Sequence, residues 1–118
     1  MKTRAVTTAA ALILSALAAL GQATGAITNK AELRAALATA RTAADHARIA
    51  AYYRETARTY TQKQAEEEQI AARLAKQYEG WTKSPNPYRS AVNLAGYYRQ
   101  QARDASARAA KQDRLAGN

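Results

Sequence analysis

The sequence predicts an all-α fold: an antiparallel two-helix hairpin with long helices at about 43–78 and 87–115, preceded by a short helix at about 30–39. Three observations predict it. Alanine dominates the apolar content, while Cys and Phe are absent. From Ala43 to Tyr78 the chain contains neither Gly nor Pro. Apolar residues then recur at alternating three- and four-residue spacing through both long segments, the period of one helix packed along another. Alanine favours helix because it has no side-chain entropy to lose, but it buries little surface. A core of Ala and Tyr therefore forms a thin, closely spaced interface.

The N-terminus reads as a cleavable signal peptide, residues 1–23. Lys2 and Arg4 form a short positive region, and 16 residues without a charge follow from Ala5 to Leu20. Gly21-Gln22-Ala23 places small residues where a signal peptidase cuts. Cuts after Gly21 or Ala26 are the alternatives. The apolar run falls short of the roughly 20 residues that span a bilayer, which sets cleavage above an uncleaved anchor. The remainder, 24–118, reads as one alanine-rich helical domain, exported to the periplasm or secreted. Without Cys there is neither an acylation site for a lipoprotein nor a disulfide, so stability must come from helix packing.

Removing residues 1–23 takes away two positive charges and leaves a net charge of +7. In an exported protein a basic surface points to an anionic envelope component or a partner protein, with peripheral membrane contact among the options. Nucleic acid is not expected in that compartment. Solvated helix faces alone also explain such a charge.

The first helix, about Lys30 to Thr39, opens at Thr28 or Asn29; Asn29 with Glu32 resembles a capping box. Leu33, Ala36 and Leu37 lie on one side of it. Thr42 with Asp45 reads as a second cap, which predicts a break near Ala40–Thr42. The second helix carries the stripe His46, Ala50, Tyr53, Ala57, Tyr60, Gln64, Glu67, Ala71, Leu74 and Tyr78. At 1.5 Å per residue it makes a rod of roughly 50 Å. Gly80 stops it. Asn86-Pro87 reads as an N-cap followed by Pro in the first turn of the third helix. That helix carries Ala91, Ala95, Tyr98, Ala102, Ala105, Ala109, Gln112 and Ala116. A short connection favours antiparallel neighbours. Closure near Gly80–Asn86 predicts Leu74 beside Leu94, Ala71 beside Tyr98, Tyr60 beside Ala109 and Tyr53 near Leu115, large against small as close packing requires. It also brings Glu66–Glu68 near Arg99 and Arg103. Such a hairpin is marginal alone. Either the short first helix covers it, or two copies join as a four-helix homodimer.

The two long helices repeat one unit. Ile49-Ala50-Ala51-Tyr52-Tyr53-Arg54-Glu55-Thr56-Ala57-Arg58 aligns with Leu94-Ala95-Gly96-Tyr97-Tyr98-Arg99-Gln100-Gln101-Ala102-Arg103 at an offset of 45, with six of ten positions identical. The unit is a duplicated packing element or a duplicated recognition surface. On the second reading Tyr52, Arg54, Arg58, Tyr97, Arg99 and Arg103 are the partner-binding candidates. Trp81, in the loop, either docks on the end of the hairpin or forms a tip that enters a membrane or partner.

Chemistry finds few carriers. His46 is the one histidine, so a nucleophile–base pair would have to use it with a Ser or Thr. The hairpin geometry sets it far from Ser84 and Ser90, and Thr42 reads as a cap. Glu66, Glu67 and Glu68 sit consecutively around a helix facing arginines, not as a carboxylate pair across a cleft. No Gly-rich phosphate loop, zinc spacing or calcium loop is present in the sequence. The expectation is a non-enzymatic binding protein without a cofactor. The alternative is a periplasmic metal-handling protein using His46, although a tight transition-metal site wants several converging ligands.

Thr42-Ala43-Ala44-Asp45-His46-Ala47-Arg48-Ile49-Ala50-Ala51-Tyr52-Tyr53-Arg54, with Ala57 following, resembles a group of small exported bacterial proteins of unknown function. These carry an Asp-His-x-x-(Leu/Ile)-Ala-x-Tyr-Tyr helix and a second helix of related pattern. The resemblance covers roughly Glu32 to Ala116 and implies the helical hairpin. It transfers no activity. Further histidines of that group fall here on Glu67, Ser90, Ala91 and Gln112, which weakens any metal or redox role that the resemblance implies.

Overall fold

A computed structural model describes residues 25–117. The signal peptide expected at 1–23 lies outside the described residues. Among these, the chain forms three α-helices and no strand: α1 (Lys30–Thr39), α2 (Ala43–Tyr78) and α3 (Pro87–Leu115). No helix among them is long and apolar enough to cross a membrane.

Side chains fix each helix start. Asn29 Oδ1 accepts from the Glu32 backbone N–H at 2.8 Å, and Glu32 reaches back to the Thr28 N–H, also at 2.8 Å. The reach goes one residue beyond the Asn29–Glu32 box that the spacing predicts. Ala40 is extended, so α1 ends at Thr39 and the expected break is present. Thr42 and Asp45 form a full capping box. Thr42 Oγ1 accepts from the Asp45 N–H at 3.1 Å, and Asp45 accepts from the N–H groups of Arg41 and Thr42. These bonds satisfy donors that the first helical turn leaves open.

At the far end of α2, the Trp81 N–H donates to the Tyr78 carbonyl at 3.0 Å, closing a tight turn with Gly80 at φ 75°. A residue with a Cβ is disfavoured there, so this glycine is the stop signal that the sequence displays. Asn86 caps α3 by accepting from the Arg89 N–H, and its Nδ2 donates to the Trp81 carbonyl at 3.1 Å. One side chain thereby joins the loop to the helix that follows.

The two long helices pack on each other along the expected stripes. In α2 the stripe residues Ala50, Tyr53, Ala57 and Ala71 are buried, as are Ala91, Ala95, Ala102, Ala105, Ala109 and Gln112 in α3. The remaining stripe positions are half-buried, including the polar Gln64 and Glu67. Alanine at most contacts lets the backbones approach closely, at the cost of a small buried area per residue.

The largest fully buried side chain among the described residues is off the stripe. Ile49 is sealed in a cluster with Ile27, Ala36, Tyr53 and Ala109, flanked by Leu33, Ala40 and Tyr52. The segment before α1 and α1 itself thus supply the apolar cover that a two-helix pair of this composition lacks. Leu37, on the same side of α1 as Leu33 and Ala36, is 44% exposed.

Candidate functional site

Contacts between α2 and α3 repeat with the sequence. Arg54 pairs with Asp113 at 2.9 Å, and Arg99 pairs with Glu68 at 3.2 Å. Arg99 follows Arg54 by 45 residues, and Asp113 follows Glu68 by 45. Arg54 and Arg99, at the same place in the duplicated unit, therefore reach equivalent carboxylates on the opposite helix.

A second set obeys the same rule. The Arg108 guanidinium lies 6.0 Å from the centre of the Tyr53 ring, and the Lys63 ammonium lies 5.6 Å from that of Tyr98. Tyr52 packs against Tyr53 at 5.9 Å between centroids, and Tyr97 against Tyr98 at 5.5 Å. The ion pair and the cation–ring contact thus each recur 45 residues on with the helices exchanged.

A depression of about 370 Å³ lies where α1 meets this pair. Tyr52, Tyr53 and Tyr60 line it from α2, and Gln101, Asp104, Ala105 and Arg108 from α3. Lys30, Leu33, Arg34 and Leu37 line it from α1. Tyr60 carries the groove onward, since its ring stacks on Tyr98 at 6.0 Å with the Lys63 ammonium 5.7 Å away. Ala109 belongs to the Ile49 cluster together with Tyr53, whose ring also carries the Arg108 guanidinium.

Of the partner-binding candidates read from the sequence, Tyr52 lines the groove. Arg54 and Arg99 are committed to Asp113 and Glu68, and Arg58 to Glu55 at 2.6 Å. Arg103 is exposed and lies outside the groove lining, and Tyr97 is 54% exposed. Trp81 sets its ring edge against Tyr78 at 5.6 Å and is 46% exposed. The groove cations Lys30, Arg34 and Arg108, and Lys63 beside the groove, were not singled out by the motif. They come from three helices, and only their helical phase could have signalled them.

Three carboxyls are held below the usual carboxylate range. For Glu32 the Thr28 backbone N–H is the main cause. For Asp45 it is the N–H groups of Arg41 and Thr42. Glu68 is lowered by a hydrogen bond from Gln64 and then by Arg99. All three favour the charged form through donated hydrogen bonds, the effect expected of caps and pairs.

His46 Nδ1 lies 2.8 Å from Gln112 Oε1. With a carbonyl oxygen as the acceptor, Nδ1 is the protonated nitrogen and Nε2 remains for other contacts. Among the described residues no three His, Cys, Asp or Glu side chains gather where they could hold a metal ion.

No family model, curated protein or solved structure matches the chain.

Proposed function

We propose that this chain is exported to the periplasm or the medium, and that its mature part is a non-enzymatic binding protein for an anionic envelope component or partner protein. The two long helices run antiparallel in this reading. The order of their contacts supports it: His46 and Arg54 of α2 meet Gln112 and Asp113 of α3, whereas Glu68 meets Arg99.

One observation carries the binding reading. Lys30, Arg34 and Arg108 converge on a tyrosine-lined groove, and Lys63 stands beside it over Tyr60, while the described ion pairs are made by other cations. Opposed to them in the groove stands a single carboxylate, Asp104, which accepts from Gln100 Nε2. A concave surface with excess positive charge attracts anions and raises their local concentration.

Cosedimentation of residues 24–118 with isolated cell envelopes, at low and high salt, tests this. Pelleting at low salt that is lost at high salt is the expected result, because exposed charge pairs are screened. A protein that stays in the supernatant at both salts overturns the reading.

A further inference from the structure

We propose that a linear anionic polysaccharide binds along the groove and past Tyr60, at two equivalent cation–tyrosine sites: Tyr53 with Arg108 in the groove, and Tyr98 with Lys63 beside it. The inference rests on the envelope-binding reading and deepens it.

The duplication argues for a repeating ligand. Each site joins one cation to one tyrosine across the two helices, and the sites exchange under the 45-residue repeat. Tyr53 and Lys63 are ten residues apart on α2, so the sites lie about 15 Å apart along the helix axis. A single small anion engages one site. A polymer with an acidic group on successive units engages both and gains from the second as an intramolecular event.

Ring geometry chooses among polyanions. Tyr53 is only 8% exposed, and Tyr60 and Tyr98 already stack on each other beneath Lys63. A nucleobase, which binds single-strand proteins by stacking on open rings, therefore finds less ring face here. What the rings can present is hydroxyls and edges, next to the amide of Gln101 in the groove lining. Hydroxyls, an amide and cations suit a chain of polyhydroxylated rings bearing carboxylates or phosphates. A lipid surface would need an apolar face to insert, and the apolar residues of this region are spent on the Ile49 cluster, leaving Leu37.

The test uses the processed protein, purified from cells expressing the full chain, and titrates it with a polyuronate. Further titrants are the monomeric uronate, a neutral polysaccharide of equal length, poly-dT and anionic phosphatidylglycerol vesicles. The polyuronate should bind at least about tenfold more tightly than the monomer, and more tightly than the other three. Lys63→Ala and Arg108→Ala should each weaken it by about two- to fivefold. Combining them should abolish the dependence on polymer length. Arg108→Lys should restore binding, and Arg103→Ala, outside the groove, should leave it unchanged. Unchanged circular dichroism shows that the variants fold.

Equal binding of monomer and polymer, indifference to both substitutions, or tighter binding of poly-dT or vesicles overturns the inference. If envelopes still pellet the double variant in a salt-sensitive way, the groove assignment falls while envelope binding stands. If neither envelopes nor polyuronate bind the unsubstituted protein, both fall.

Discussion

Ile49 is fully buried, whereas Leu94, its counterpart 45 residues on, is 41% exposed. The two residues occupy the same place in the repeated unit. The difference is α1 and the segment before it: Ile27, Leu33 and Ala36 cover Ile49, and among the described residues no equivalent segment covers Leu94. Ile49→Ala should therefore destabilise the protein by about 2–5 kcal/mol, the range for emptying a core site. Leu94→Ala should cost less than about 1 kcal/mol, as at a largely solvated position. Urea unfolding followed by circular dichroism measures both. Equal losses would show that the second unit is covered after all.

The capping box at Thr42 separates α1 from α2. Thr42→Ala removes the acceptor for the Asp45 N–H and should cost about 1 kcal/mol. Thr42→Ser should recover most of it, because the hydroxyl is kept. The expected thermal order is native, then Ser, then Ala; an Ala variant as stable as the native chain would mean that the box does not hold the helix start.

Acid should weaken the fold through the same caps. Glu32 and Asp45 have folded-state pKa values below their unfolded ones, because backbone N–H groups donate to the charged forms. Their contribution is present above the unfolded values, near pH 4. It is lost as pH falls through the lower folded values. Stability from pH 6 down to pH 2 should hold and then drop. A Glu32→Ala, Asp45→Ala double variant should show a shallower acid limb, with Glu68 supplying what is left. An unaltered limb would assign acid sensitivity to other groups.

Gln112 is buried at 7% exposure and holds His46. Gln112→Leu leaves the imidazole Nδ1 without that partner in a half-buried place, which should cost about 1–3 kcal/mol. Adding His46→Leu should return part of the loss, since both polar groups are then gone. A double-mutant cycle by urea unfolding reads the coupling. Strictly additive losses would show that the two side chains act apart.

Trp81 reports on the loop. It is half-exposed and rests edge-on against Tyr78. Its fluorescence should be partly quenched by acrylamide. Tyr78→Ala should shift emission to longer wavelength and increase quenching, with helix content unchanged. Unchanged emission would place the contact elsewhere.

The sequence by itself determined the helices of this protein. Their starts are written in Asn29, Thr42 and Asn86, whose side chains cap the backbone within three residues, so no distant part of the chain is needed. Gly80 marks a stop for an equally local reason, a positive φ. The packed stripes were legible because helical period alone selects them, and the Glu68–Arg99 pair because opposite charge fell near a register set by loop length.

Only the tertiary structure decided how the faces are used. Ile49 lies off the stripe and becomes the most buried side chain because α1 folds over it, a contact between elements that periodicity does not encode. Tyr60 stacks on Tyr98 because long aromatic side chains reach past their nearest neighbours to meet one another. The groove cations Lys30, Arg34 and Arg108 and the neighbouring Lys63 stand on three helices, and their convergence depends on how those helices rotate and cross. Local rules set the length and phase of each helix; the choice of neighbours is a packing problem solved by side chains far apart in the chain.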